Sequence, residues 1–524
     1  MPPLARRDVR GLVRKLGANA RPSQQAEALH TIATLCCYED AACLVAIAAA
    51  GAIPALVQLL GSGSSAAVQE NAAAGLALLA KNADNLVTIV AAGAIPPLVQ
   101  LLGRGSQAEV QYNAAAVLVI LAKNADGLAG IAAAGAIPVL VQLLGPGSPA
   151  CARELAAEAL WNLAVNADNK VTIAAAGAIP VLVQLLGSGS PADTQMNAAG
   201  ALTSLAENAD NAMNIAAAGA IPLLVRLLGP GSPALLPAKA TAALGILAVN
   251  AAGIITAAGA IPPLVHLLGA RSCPDVQGNA AGLLSKLCEN ADNQATIAAA
   301  GAIPPLMKLL GSSSSGSAQL QNNAAAALMR LTEDVDNQVT IAAAGAIPPL
   351  VQLLGSRSNP NVHQQTAAAV LMQLARNHAI AAAGAIPPLV LLLSQDSPDQ
   401  LQVAAAGALA MLAVTDSAGT IAAAGANPPL VQLLGPRLHS DAQQYAAAAM
   451  ALIAAKDDIA ITIVAAGAIP ALVQLLGAHS PAGVQQVAAE VLTRIAVTTY
   501  IRIAIVTAGA SAKIINQMAA LGVL

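Results

Sequence analysis

The sequence predicts an all-α fold, a solenoid of stacked three-helix repeats, and three observations support this. The tetrapeptide Gly-Ala-Ile-Pro recurs ten times at intervals of 39–44 residues, with Gly-Ala-Asn-Pro once. No alternation of apolar and polar residues extends over the length of a strand. Apolar residues make up 56% of the 524 residues, and much of this share is alanine, the best helix former. Helical units too small to fold alone bury a continuous core when they stack at a fixed period.

The proline of the tetrapeptide marks the same position in every repeat: Pro54, Pro96, Pro138, Pro180, Pro222, Pro262, Pro304, Pro348, Pro387, Pro428 and Pro470. The intervals of 40 and 39 residues lose residues from the first helix of the repeat, at 251–256 and 378–382. The interval of 44 residues adds a serine-rich loop at 312–317. Length changes therefore fall outside the stacked core.

Residues 166–206 illustrate the short, medium and long helices expected in one repeat. Asp168 is expected to cap the first helix, and Gly177 to turn the chain through a positive φ. Pro180 fits the first turn of the second helix, where its missing N–H costs nothing. Ser190 is expected to cap the third helix, which has one apolar side.

Asparagines recur at two fixed phases, which predicts a structural hydrogen bond to turn backbone in each repeat rather than a functional site. One set lies near the start of the third helix, and the other lies in the loop after it: Asn71, Asn113, Asn197, Asn279 and Asn323, then Asn82, Asn124, Asn166, Asn208 and Asn290.

A single elongated domain over residues 1–524, with about eleven to twelve repeats, is the predicted organisation. Residues 1–49 are expected to form a divergent N-terminal capping repeat, 50–507 the regular repeats, and 508–524 a partial C-terminal capping repeat. Divergent ends are expected because a terminal repeat has to face water on one side.

Charge and composition disfavour nucleic acid and membrane partners. The net charge is −3, and the chain lacks basic stripes and stacking aromatics, so no nucleic-acid binding is expected. A charge-free window between Asp126 and Arg153 is long enough to span a bilayer. Glycine and proline breakers interrupt that window, so membrane insertion is not expected either.

Catalytic and metal-binding patterns are missing from the sequence. The six histidines are scattered without zinc-protease spacing, and no P-loop pattern occurs. The six cysteines form no CxxC pair, and we interpret them as small buried residues in a reducing compartment. We predict that the chain is not an enzyme and that it binds no cofactor and no metal. A Cys–His nucleophile at Cys43 or Cys288 is the alternative left open.

Residues 166–187, NADNKVTIAAAGAIPVLVQLLG, resemble the armadillo (ARM) repeat family, most closely the repeats of plant and algal armadillo proteins. The resemblance recurs at fixed phase over nearly the whole chain. It implies a right-handed α-α superhelix whose third helices line a concave groove, where partners bind as extended peptides. The implied function is a non-catalytic protein–protein interaction scaffold or adaptor.

Two relatives suggest alternative functions. Importin-α-like carriers resemble this chain but carry Trp and Asn four residues apart on the third helix. Only Asn162 matches the Asn positions, and Trp161 lies at a different phase. Plant U-box ubiquitin ligases carry a U-box before similar repeats, whereas the repeats here begin within about ten residues of Met1. A substrate-recruiting subunit of a ligase complex and an importin-like carrier both remain alternatives.

If the resemblance holds, side chains on one face of the third helices form a protein-binding groove with acidic points early and basic points in the middle. The candidate residues are Glu70, Tyr112, Glu154, Glu158, Trp161, Asn162, Lys286, Asn322, Arg330, Gln365, Gln373, Glu490 and Arg494. The expected partner is another protein, bound through an extended peptide segment. The chain is expected to be a monomer in the cytoplasm, with the nucleus as an alternative location.

Overall fold

A computed structural model of the chain shows two compact units, Met1–Gly259 and Ala260–Leu524. The structure describes residues 6–17, 20–37, 41–229, 232–233, 235–269, 271–310, 318–345, 349–350, 367, 369–374, 385–394, 396–397, 399–414, 417–435, 439–455, 457–477 and 479–509. Within these residues, helices are the regular secondary structure, and they follow one another in sets of three of which the third is the longest, as predicted. The prediction that the first helix is shorter than the second is wrong: in residues 166–206 the first helix has 9 residues and the second has 8.

The first unit contains three sets of helices. Its first helices are Ala41–Ala49, Ala83–Ala91, Ala125–Ala133, Ala167–Ala175 and Ala209–Ala217. Its second helices are Arg6–Arg14, Ala52–Leu59, Ile95–Leu101, Ala136–Leu143, Ala178–Leu185 and Ala220–Leu227. Its third helices are Pro22–Cys37, Ala66–Leu79, Ala108–Leu121, Ala150–Leu163, Ala192–Ala206 and the longer Leu235–Ala257.

The second unit repeats the pattern. Its first helices are Ala291–Ala299, Val335–Ala343, Ala418–Ala423, Asp457–Ala465 and Thr499–Thr507. Its second helices are Ile261–Leu267, Ile303–Leu310, Ile386–Leu392, Asn427–Gln432 and Ala468–Leu475. Its third helices are Pro274–Leu287, Ala318–Leu331, Asp399–Val414, Ser440–Ile453 and Ala482–Ile495.

Buried aliphatic side chains from all three helices form the core of a repeat. In one repeat these are Ile173, Leu182 and Leu202, all at most 1% exposed. Third helices of successive repeats pack side by side within each unit, and each third helix also packs on the second helix of its own repeat. Because alanines cover the sides of the third helices, the helices approach closely and bury the larger side chains between layers.

The turn between the first and second helices agrees with the prediction. Gly177 has a φ of 79°, in the left-handed region that glycine adopts without steric cost. Pro180 lies in the first turn of the second helix. The third helix differs slightly from its prediction, since Pro191 is the N-cap residue and the helix begins at Ala192.

The cap of the first helix is Asn166, and the prediction that Asp168 caps it is wrong. The Asn166 Oδ1 accepts hydrogen bonds from the backbone N–H groups of Asp168 and Asn169, at 2.9 and 3.2 Å. The helix therefore begins two residues earlier than expected, at Ala167. The same cap recurs at Asn82, Asn124, Asn208 and Asn290, which confirms the structural role predicted for the loop asparagines.

We expect an Asn166→Ala substitution to cost about 1 kcal/mol of unfolding free energy, because two helix N–H groups lose their acceptor. An Asp168→Ala substitution is the matched control and should cost less, since its carboxylate contributes only the favourable charge at the helix N-terminus. Urea unfolding followed by circular dichroism measures both. A larger loss for Asp168→Ala than for Asn166→Ala would contradict the assigned cap.

A glutamine at fixed phase links the third helix to the loop that precedes it, and the sequence analysis missed this contact. Gln195 Nε2 donates to the carbonyl of Gly187 at 2.7 Å, and Gln277 Nε2 to that of Gly269 at 2.8 Å. The same bond joins Gln69 to Gly61 and Gln111 to Gly103. The sequence does contain a signal for this contact, because a glutamine recurs in the first turns of these third helices.

The described residues test one of the three predicted length changes of the repeat. The 40-residue interval does shorten the first helix, which runs on from the third helix in Leu235–Ala257 with a break in helical geometry at Ala251. The changes at 312–317 and 378–382 lie outside the described residues.

Cys151 and Cys273 are exposed, so the prediction that all cysteines are buried is wrong. Cys151 lies in the first turn of a third helix and Cys273 just before another, where side chains reach solvent.

Candidate protein-binding site

The single tryptophan of the chain lies half-buried on a third helix of the first unit, Ala150–Leu163. Its ring packs directly over Gly200 of the next third helix. A Cβ atom built on Gly200 would lie 2.7 Å from Cδ2 of Trp161 and 2.8 Å from Cε2, which is closer than any real contact. A side chain at position 200 would clash with the indole ring, so the ring can pack here only because this residue is glycine.

A lysine from the following repeat covers part of the same ring. The Nζ atom of Lys239, in Leu235–Ala257, lies 4.3 Å from the Trp161 ring centroid. This distance is within the range of a cation–π interaction. Three successive third helices thus contribute to one feature, and the sequence analysis did not predict Lys239 because it lies 78 residues from Trp161.

Carboxylates lie on the same third helix. Glu158 pairs with Lys123 at 3.6 Å, and both side chains are at least partly exposed, so the pair contributes little to stability. Burial raises the pKa of Glu154, and the negative charges of Asp193 and Glu158 raise it further. The carboxylates therefore repel each other, and a bound cation near Glu154 would relieve this repulsion.

The raised pKa of Glu154 predicts how stability depends on pH. The folded state holds the Glu154 proton more tightly than the unfolded state, so stability falls as pH rises from the ordinary value of 4.5 through the folded pKa. We expect Glu154→Gln to raise the melting temperature at pH 7, with the gain vanishing below pH 4.5. Asp193→Asn should give part of the same gain. A Glu154→Gln gain that did not change with pH would contradict this origin.

Backbone–side-chain hydrogen bonds join successive third helices around this site. Asn162 Nδ2 donates to the Val119 carbonyl at 3.3 Å, and Asn197 Nδ2 donates to the Glu154 carbonyl at 3.3 Å. Asn197 thus has a structural partner, as predicted, but the partner is the preceding third helix rather than a turn. One N–H of Asn162 is already used in this way, so its role toward a peptide backbone stays a prediction.

The remaining candidates of the first unit lie on earlier third helices. Tyr112 is 42% exposed, and Glu70 is half-buried. A partner can therefore reach Tyr112. The sequence alone could not show this exposure.

Three candidates in the second unit form ion pairs with neighbouring charges. Arg330 forms ion pairs with Glu333 at 3.3 Å and Glu289 at 3.9 Å. Arg494 forms one with Glu490 at 2.8 Å, four residues away on the same helix. The pairs of Arg330 reduce the net positive charge predicted for the middle of the groove.

The other second-unit candidates have different surroundings. Lys286 and Gln373 are exposed, and Asn322 is half-buried. Gln365 lies outside the described residues. The gradient of charge along one groove stays a prediction.

A family model for the armadillo/beta-catenin-like repeat matches six segments of the chain: residues 40–81, 82–123, 166–207, 253–289, 290–332 and 456–497. The chain contains armadillo repeats. Gly200 lies in the matched segment 166–207, and the helix of Trp161, Ala150–Leu163, lies between the matched segments 82–123 and 166–207.

Two solved structures are similar to this armadillo-repeat chain. An engineered protein from the Northeast Structural Genomics Consortium is 30% identical over 84% of this chain and 98% of that chain, with a TM-score of 0.60. A structure from work on a phosphorylation switch that controls the interaction between cadherin and beta-catenin is 18% identical, over 93% of this chain and 98% of that chain. Its TM-score is 0.71. No curated protein sequence matches the chain. The predicted fold class, an armadillo solenoid, is confirmed, and it supports a protein-interaction scaffold in general.

One described helix is long and apolar enough to cross a membrane, judged by length and composition alone: Leu235–Ala257, with 23 residues. Its backbone leaves helical geometry at Ala251, where the third helix of one armadillo repeat meets the first helix of the next. Three pairs of first and second helices would also qualify if each pair were one span, but each bends by 85° at the break. The expectation that this chain does not insert into membranes stays a prediction.

The described residues contain no cluster of three or more His, Cys, Asp and Glu side chains that could hold a metal. Cys288, the alternative nucleophile, is buried, and the pKa of its thiol is raised to about 12. Burial is the largest cause of this rise, the negative charge of Glu333 adds to it, and the positive charge of Arg330 partly offsets it. A reactive cysteine needs the opposite change, because only the thiolate is a strong nucleophile.

Proposed function

We propose that this armadillo-repeat chain is a non-catalytic scaffold that binds a partner polypeptide, as an extended segment, across the third helices of its first unit. The observation that carries the proposal is the Trp161 ring, half-buried on Gly200 and covered by the side chain of Lys239. Tryptophan in a partly desolvated position is the residue type that most often dominates binding energy at protein interfaces. In our proposal the scaffold acts in the cytoplasm, and the nucleus is the alternative location.

The surroundings of the ring favour a polypeptide with a cationic or apolar side chain at the centre of the contact. Lys239 reaches the ring through a long, flexible side chain, so a partner side chain can take its place over the indole ring. Glu154 and Glu158 lie on the same helix and favour positive charge nearby. Tyr112 supplies a second exposed aromatic ring on an earlier third helix.

The test uses Trp161 as its own reporter, because it is the only tryptophan in the chain. Peptides selected from a random display library against the full chain are titrated while tryptophan emission is recorded. Trp161→Ala lacks the reporter, so its affinity is measured by the fluorescence anisotropy of dye-labelled peptides. It should weaken the best peptides by roughly 30-fold or more, as expected for an interface hot spot. Tyr500→Ala, which removes an aromatic side chain that is 80% exposed in the second unit, is the matched control and should change nothing.

The proposal fails if the selected peptides bind Trp161→Ala as tightly as the wild-type chain and leave the tryptophan emission unchanged. A second comparison tests the predicted basic part of the groove. Charge reversal at Lys286 and Arg330 should weaken a peptide that binds the third helices of the second unit, whereas unchanged affinity would remove these two residues from the binding surface.

A further inference from the structure

The first helices of the first unit carry an exposed apolar row that the third-helix site does not use. Nine residues before the tetrapeptide proline, five successive repeats have Val45, Val87, Ala129, Val171 and Met213. The four larger side chains are 45%, 55%, 57% and 56% exposed. Four residues further along each helix an exposed alanine extends the apolar surface: Ala49, Ala91, Ala133, Ala175 and Ala217.

The apolar row is bordered on one side by acidic residues. Three residues before the apolar position, four of the five helices have an exposed aspartate: Asp84, Asp126, Asp168 and Asp210. The single basic residue within the five helices is Lys170, whose side chain is 12% exposed and paired with Glu207. Lys123, which precedes one of these helices, is paired with Glu158. Lys81 holds the corresponding position one repeat earlier. The first-helix surface thus combines apolar side chains with a negative border.

The geometry points to a second interaction surface on these first helices, and we infer that it binds an amphipathic α-helix with a basic border. Packed helical layers lie about 10 Å apart. An α-helix rises 1.5 Å per residue, so residues about seven positions apart on a bound helix would contact successive layers. Five repeats therefore match a helix of roughly 28 residues, with one apolar residue every two turns.

A helix suits this surface better than an extended strand does. The backbone groups of the first helices are bonded within their own helices, so the surface offers no edge with which a strand could pair. An extended segment on apolar side chains would leave its own N–H and C=O groups unpaired, whereas a helix satisfies them internally. The aspartate border provides the charge complementarity that selects lysine or arginine beside the apolar residues.

The test uses the full chain and a synthetic helical peptide of about 28 residues, with leucine at every seventh position flanked by lysines. Two matched peptides replace the lysines by glutamates or place prolines in the middle. We expect only the first peptide to bind by fluorescence anisotropy, with an affinity that falls as salt rises. Val87→Ser together with Val171→Ser should weaken it by roughly tenfold or more. Val339→Ser, an equally exposed valine at the same position in the second unit, should leave it unchanged.

Several results would overturn the inference. Equal binding of the proline-containing peptide would assign the surface to an extended segment, and equal binding of the glutamate peptide would remove the role of charge. Self-association of the chain that Val87→Ser and Val171→Ser abolish, in the absence of peptide binding, would assign it to a second copy. Loss of binding of the lysine-containing peptide in Trp161→Ala would instead place the peptide site on the third helices. Unchanged affinity in the double serine variant would leave no first-helix site.

Discussion

Gly200→Ala should make the first unit less stable and move the Trp161 ring, although alanine is the better helix former. The new methyl group would lie 2.7–3.0 Å from three ring atoms, so either the ring or the third helix has to shift. Such overpacking costs about 1–3 kcal/mol, against a gain of about 1 kcal/mol from helix propensity. The displaced ring would also lose its contact with Lys239, so tryptophan emission should change and the proposed peptide affinity should fall.

Gly245→Ala is the matched control, because Gly245 lies inside the helix Leu235–Ala257 and a Cβ atom there would meet nothing within 4 Å. This variant gains helix propensity without a clash, so it should be more stable than wild type by about 0.5–1 kcal/mol. The difference between the two glycine variants, measured by urea unfolding, isolates the contact with the ring. Equal stability changes in both would show that the ring does not rest on Gly200.

Asn427→Ile should make the second unit more stable by about 1–3 kcal/mol, because it removes a buried acceptor that has no partner among the described residues. Asn427 is 5% exposed and stands where ten other repeats have isoleucine. Its Nδ2 donates to Thr462 Oγ1 at 2.8 Å, and the Thr462 hydroxyl donates to the Ile459 carbonyl at 2.7 Å. The hydroxyl can therefore only accept from Asn427, which assigns Nδ2 to it and leaves Oδ1 unbonded.

The reverse change in the preceding repeat is the control for this prediction. Ile386 holds the equivalent position and is 1% exposed, so Ile386→Asn should lower stability by about 3 kcal/mol through lost apolar burial and an unpaired amide. Thermal unfolding followed by circular dichroism measures both variants. If Asn427→Ile were destabilising, the asparagine would have a structural role that its contacts do not show.

The surroundings of Asn427 explain why the second unit tolerates this exception. The side chain borders an open surface cavity whose lining includes the small residues Gly419, Ala422 and Ala423 of a first helix shortened to six residues. The polar side chain therefore lies beside a cavity lined by small residues of the shortened first helix.

The sequence by itself determined the repeat, the order of its three helices and the turn at Gly177. These features depend on residues close together in the chain, and their repetition at fixed phase separates them from chance. Even the error over the helix cap was local: Asn166 and Asp168 are both good caps, and only the geometry of the turn selects between them.

The tertiary structure alone decided how side chains from different repeats meet. Trp161, Gly200 and Lys239 come from three third helices, and nothing near Trp161 in the chain indicates that a glycine supports its ring or that a lysine covers it. Likewise, folding brings Glu289 of the preceding repeat to Arg330, a pair that the sequence analysis did not predict. Local propensity sets where helices begin and end, but contacts between layers depend on packing distances that a one-dimensional pattern does not contain.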